Sequence, residues 1–140
     1  MKLSILIPVY NEGGTIDRVL RSIVAAGLPS GIEREVVVIN DGSTDRTAAE
    51  LEGFRQVHPE LALVYHHERL NNGKGWCLRR GIPMATGDCI VIQDADLEYD
   101  PADHAAQSCA RQEDRVSRRV AGAVLHRKVY VAVAAPRGKW

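Results

Sequence analysis

The feature that most constrains this chain is a set of short apolar runs, each of which stops on a polar cluster. Leu3–Val9 (LSILIPV) ends at Tyr10-Asn11-Glu12. Glu35–Asn40 (EVVVIN) ends at Asp41-Gly42-Ser43, and Cys89–Gln93 (CIVIQ) ends at Asp94-Ala95-Asp96. Runs this short and rich in Val and Ile read as strands buried on both faces. The segments between them have helical spacing. Ile16, Val19, Leu20, Ile23 and Val24 share one face of a helix expected over 16–26, with Thr15 as N-cap and Gly27 as the stop. A second helix is expected over 46–57, a third strand over 61–65, and a short helix from Lys74 toward Ala85. Pro83 falls inside that last helix and removes a backbone donor, so the helix should be short or kinked there.

The resulting order, βαβαβαβ, specifies an α/β fold: a mostly parallel, Rossmann-like sheet with helices on both faces. In such sheets the loops at the carboxyl ends of the strands gather on one edge, and ligands bind there. The three polar clusters, distant in sequence, are therefore expected to meet in space.

Charge divides the chain in two. Residues 1–103 carry 10 Lys+Arg and 16 Asp+Glu, net −6; residues 104–140 carry 8 and 2, net +6. The expected organisation is an α/β core over 1–103 and a basic tail over 104–140 without a clear helical or strand period. The formal total of +0 gives no pull toward nucleic acid. No apolar stretch reaches the length of a membrane span, and the start lacks the features of a signal peptide. The odd cysteine count, 3, fits a reduced setting. These features point to a cytoplasmic location, with the tail a candidate for contact with the cytoplasmic membrane face.

The chemistry sits in the clusters. Asp94-Ala95-Asp96 closes a buried strand, and alternate carboxylates on an extended segment point to opposite sides. One can face a bound ligand while the other turns away. A hard cation such as Mg²⁺ or Mn²⁺ takes carboxylate and phosphate oxygens. Taken alone, a D-x-D is more often a solvated turn; its place after an apolar strand favours a site. Asp41 can accept hydrogen bonds from a base or ribose. Ser43 and Asp45 read first as turn and capping residues. Tyr10 offers a ring and a hydroxyl, and Glu12 an acceptor, although both also suit a helix lead-in. Asn72-Gly73-Lys74-Gly75 lacks the spacing of a P-loop, yet Lys74 and amides at a helix start suit a diphosphate. His66-His67 beside Glu68 reads as surface, since adjacent side chains on a strand point apart.

Taken together, ILIPVYNE, VVVINDGSTDRT, NNGKGWCLRRGIPMATGD and VIQDADLEYDP resemble the family 2 glycosyltransferases of GT-A fold in order and spacing, over about Leu3–Asp103. QDADLEYDP is most similar to the dolichol- and polyprenyl-phosphate sugar transferases, which include dolichol-phosphate mannose synthases. The resemblance implies that Pro8, Tyr10, Glu12, Ile39 and Asp41 contact the nucleotide. It implies that Asp94 and Ala95 border the sugar diphosphate and that Asp96 holds Mg²⁺ or Mn²⁺. It further implies an inverting displacement from a GDP- or UDP-linked sugar onto an acceptor such as a polyprenyl phosphate. Trp76 and Cys77 depart from the small residues usual at those positions. The family's acceptor-binding half should extend about a hundred residues beyond Asp96, and no catalytic residue from that half is identifiable here. The C-terminal part thus reads as truncated or aberrant, and the alternative function is an inactive fragment that only binds nucleotide sugar. A nucleotidyltransferase is disfavoured, because PVYNEGGT has no base after the first strand.

Overall fold

The computed structural model describes residues 1–95 and the strand 130–133. The elements in chain order are β1 (Lys2–Val9), α1 (Ile16–Ala25), β2 (Glu33–Asn40), α2 (Thr47–Val57), β3 (Ala62–His67), α3 (Lys74–Gly81), β4 (Cys89–Ile92) and β5 (Tyr130–Val133). The strands form one sheet in the order β3-β2-β1-β4-β5. Every pairing is parallel. The expected α/β architecture is present. Asp96 lies outside the described residues, and of the basic tail only Tyr130–Val133 is described, as the edge strand beside β4.

Period-2 alternation in the strands sorts the core into two layers. Ile5, Ile7, Val36, Val38 and Val91 face α1 and α2, where they pack on Ile16, Val19, Leu20, Ile23, Leu51 and Phe54. Leu6, Val37, Ile39 and Ile90 face the other way, toward Cys77 of α3. The central strands β1, β2 and β4 are therefore apolar on both sides, which is why their sequences read as continuous runs.

Two helix ends differ from the sequence reading. Thr15 stands at the N-cap of α1 without a side-chain cap bond. Its hydroxyl donates instead to the Glu12 carboxylate at 2.5 Å and to the Glu12 carbonyl at 3.0 Å. Gly27 stands at the expected position just past the C-cap Ala26 (φ −65°, ψ 118°), but without the positive φ of a left-handed cap. Pro83 acts as expected. The α-helix closes at Gly81, and Ile82–Met84 continues as a single 3₁₀ turn. Gly81 marks the closest approach of α3 to the sheet, since a Cβ there would lie 2.3 Å from Leu6 Cδ1.

At the amino ends of the strands, Glu35 is buried and bound on all sides. Its carboxylate accepts from the Ser4 hydroxyl at 2.7 Å, the Thr86 amide at 2.7 Å and the Thr86 hydroxyl at 2.5 Å, and it pairs with Lys2 Nζ at 2.7 Å. Burial alone would raise its pKa; Lys2, Thr86 and Ser4 outweigh burial and hold it at about 2. A carboxyl whose pKa falls on folding adds stability above its unfolded pKa, and that stability is lost as the pH drops toward the folded value. The window therefore runs from about pH 4.5 down to about pH 2. We expect Glu35→Gln to cost roughly 3 kcal/mol at neutral pH. Acid titration of unfolding should show a flatter loss of stability for the variant across this window; parallel curves would contradict the role of Glu35.

Candidate functional site

The strand order reverses between β1 and β4: β2 and β3 lie on one side of β1, β4 and β5 on the other. A crevice opens at such a switch point, beyond the carboxyl ends of the strands. Here it is a cavity of about 330 Å³ bordered by the ends of β1, β2 and β4 and the start of α3. Tyr10, Glu12, Asp41, Lys74 and Asp94 supply its polar wall, with Pro8 and Ala95 beside them. Seven of the residues singled out from sequence thus converge. Ile39 does not join them: its side chain is fully buried in the layer under α3. Asp96, the expected metal ligand, lies outside the described residues.

Asp41 organises the wall. Its two carboxylate oxygens accept from the backbone amides of Asn72, at 2.9 Å, and Gly73, at 2.7 Å. The carboxylate of the β2 end thereby fixes the turn that starts α3. Gly42 makes the junction possible. Its φ is +73°, and a Cβ there would lie 2.7 Å from the backbone carbon of Leu70. Both facts require glycine. The Asp41 carboxylate keeps acceptor capacity for a ligand. Cys77 lines the cavity on the same side. Burial, then the charge of Asp41, pushes its thiol up to about 11, so it stays protonated.

A second lattice of bonds holds the β1 loop, and sequence reasoning did not foresee it. The Asn11 amide donates to the Ser43 hydroxyl at 2.9 Å, and Asn11 Oδ1 accepts from the Thr44 amide at 2.9 Å. The Glu12 amide donates to Thr47 Oγ1, Gly13 to Asp45 and Gly14 to Glu50, each at 2.9 Å. Short polar side chains of DGSTDRT thus take three of the four amides of NEGG, and Glu50 takes the fourth. Asp45 does serve the turn as expected, accepting from the Thr47 amide at 3.0 Å. The visible signal was the density of Ser, Thr and Asp after β2, a density larger than one helix cap requires.

The far side of the cavity is electrostatic. Lys74 Nζ pairs with Asp94 Oδ1, joining the first residue of α3 to the loop after β4. A divalent cation bound by carboxylates and a ligand's phosphates suits this wall, because Asp94 offers hard oxygen donors at the cavity edge. Among the described residues, no group of three His, Cys, Asp or Glu side chains is arranged to hold a metal alone. His66 pairs with Glu68, whose carboxylate also lies 4.0 Å from Arg80 Nε.

The family model for glycosyl transferase family 2 matches residues 4–108. An undecaprenyl-phosphate 4-deoxy-4-formamido-L-arabinose transferase of Pseudomonas aeruginosa is 33% identical over 99 residues, covering 71% of this chain and 29% of that protein. A mannosyltransferase from Pyrobaculum calidifontis, solved with GDP-Man and Mn²⁺, aligns with a TM-score of 0.63 at 35% identity. The alignment covers 67% of this chain and 27% of that one. S. aureus TarS, solved with UDP, aligns with a TM-score of 0.60 at 32% identity over 69% of this chain and 28% of that one. The chain spans less than a third of the length of the curated relatives it matches.

If Asp41 pins the cavity wall, Asp41→Asn must leave one of two amides facing an NH₂ group. Amide exchange at Asn72 and Gly73 should then speed up about tenfold, as expected for a lost hydrogen bond to a charged acceptor, while the β1 and β2 amides stay protected. Unchanged exchange at both amides would show that the turn stands without Asp41.

Proposed function

The chain belongs to glycosyl transferase family 2, and from that premise we propose that its cavity binds the nucleotide diphosphate sugar from which the sugar is transferred. The observation that carries this reading is the convergence of Tyr10, Glu12, Asp41, Lys74 and Asp94 on one cavity at the sheet's switch point. Tyr10, Glu12 and Asp41 meet the nucleoside, Tyr10 by its half-exposed ring and the two carboxylates as acceptors for base or ribose donors. Pro8 packs beside them, and Ile39 contributes from the core as a backing residue. The diphosphate lies toward Lys74 and the first turn of α3, where helix amides and the ammonium favour negative charge. Asp94 and Ala95 border the sugar end, and Asp96 is the proposed ligand of Mg²⁺ or Mn²⁺.

The reaction is an inverting displacement. An acceptor oxygen bonds to the anomeric carbon as the bond from that carbon to the diphosphate breaks, and the bonding electrons leave with the diphosphate. The cation, when bound, supplies charge stabilisation for the leaving group. Lys74 and the α3 amides add to it from the protein side. The proposed acceptor is a polyprenyl phosphate, a class acted on by the Pseudomonas relative. Its phosphate oxygen is already anionic, so this acceptor needs little help from a general base. Such an acceptor would bring the enzyme to the cytoplasmic face of a membrane; no helix among the described residues is long and apolar enough to cross one.

Calorimetry with GDP and UDP, with and without Mg²⁺ or Mn²⁺, tests the donor site. One nucleotide should bind at least about tenfold more tightly with metal, and Asp96→Ala should abolish most of that gain. Metal-independent binding that survives Asp96→Ala would remove the assignment of Asp96. A transfer assay with the matching nucleotide sugar and a polyprenyl phosphate then tests the acceptor; donor binding without transfer would mark a donor-binding unit.

A further inference from the structure

We infer that Lys74 is an exchangeable counter-ion: it neutralises Asp94 in the free protein and passes to the donor's diphosphate when a divalent cation takes over the acidic wall. The inference rests on the donor site proposed above and concerns how that site changes on loading.

Among the described residues that line the cavity, three are acidic, Glu12, Asp41 and Asp94, and one is basic, Lys74. The three carboxylates differ in what they bind. Glu12 accepts from the Thr15 hydroxyl, and Asp41 from two backbone amides. Both are engaged by uncharged donors inside rigid turns. The carboxylate of Asp94 has a mobile cation instead. The amide side chain of Gln93 donates to the Asp94 backbone carbonyl, at 3.1 Å, and leaves the carboxylate to Lys74.

That pair is built to open. Its side chains are 54% and 33% exposed, and exposed ion pairs contribute little net stability. Lysine carries a point charge on a flexible stem and makes no fixed bidentate contact. The base of the stem is nonetheless fixed, because Asp41 holds the amide of Gly73 immediately before it. The ammonium can therefore change partner without moving α3. A diphosphate entering this cavity presents several negative charges beside the ammonium. A divalent cation held by the proposed ligand Asp96, two residues along the chain, competes for the neighbouring Asp94 carboxylate, which is already paired. Each ligand thus favours the other by removing one half of the same pair, and such coupling is reciprocal.

The test measures Mn²⁺ binding to the full chain by electron paramagnetic resonance, with and without GDP or UDP, whichever binds wild type. The readout is the factor by which the nucleotide tightens Mn²⁺ binding. In Lys74→Met, Mn²⁺ alone should bind about two- to fivefold more tightly, because its competitor is gone. The coupling factor should fall by a similar ratio, since direct phosphate–metal contact remains and the relief of competition does not. Asp94→Asn should lower the coupling factor too, and decides the matter if Lys74→Met fails to fold. Lys74→Arg should keep most of it. Equal coupling factors in wild type, Lys74→Met and Asp94→Asn would mean that Lys74 acts as a static charge, which overturns the exchange while leaving the donor site intact. Absence of nucleotide binding by wild type, with any metal, would overturn the donor site and the exchange together.

Discussion

The double acceptance by Asp41 of the Asn72 and Gly73 amides is the contact on which the cavity depends. A parallel sheet positions its strands through their hydrogen-bond ladders, but nothing in a ladder fixes the loops beyond the strand ends. Here a buried carboxylate at the end of β2 reaches the turn before α3, and the turn in turn presents Lys74. Gly42 lets the two backbones touch at that point. One side chain therefore sets the distance between the wall given by β2 and the wall given by α3. The cost of burying that charge is offset by two amide donors, the arrangement that a buried carboxylate needs when no cation is bound to it.

The two ends of the sheet solve the same electrostatic problem differently. At the amino end Glu35 is saturated by Lys2, Ser4 and Thr86, and its carboxylate has no reason to meet solvent or ligand. At the carboxyl end the carboxylates of Asp41 and Asp94 are satisfied enough to persist in the free protein, yet both stay on the wall of an open cavity. Closure at one end and incomplete satisfaction at the other give the sheet a direction. Carboxylates with spare acceptor capacity thereby stand at the edge where the helices present their amino ends.

Much of this was legible in the sequence, because the strong signals were the ones that burial dictates. Continuous apolar runs declared β1, β2 and β4 to be central, and the polar residues that ended them declared the site. Pro83 announced its 3₁₀ turn. What the sequence concealed was partner choice. Nothing in Thr15 distinguishes a hydroxyl that caps its own helix from one that turns back to Glu12, since both partners lie within the same turn. Nothing in Gly27 shows that the helix ends there without a left-handed residue. Ser43, Thr44 and Asp45 announced a turn, but their bonds to Asn11 and Gly13 cross more than thirty residues of sequence, and no local pattern encodes such a crossing. Ile39 was placed among the nucleotide contacts by resemblance; alternation along β2, with Val37 and Ile39 on the α3 side, carries its side chain into the core.

The crossing bonds also explain why the site's loops can be polar without being loose. A loop ordered only by solvent-exposed contacts opens at little cost. The Asn11–Gly14 loop instead has each of its amides taken by a side chain of the 43–50 segment. That segment is anchored by the buried Thr47 and, immediately after the segment, by Leu51 in the core. The order of the core is therefore passed outward to Tyr10 and Glu12 by hydrogen bonds and not by apolar packing. Apolar packing at this edge would have filled the cavity; directional bonds between short side chains and backbone hold the walls apart while leaving the space between them empty. A pre-shaped pocket loses less freedom when its ligand arrives. The density of Ser, Thr, Asp and Asn around the first two strand ends is thus the physical condition for an open, preorganised site at the switch point of this sheet.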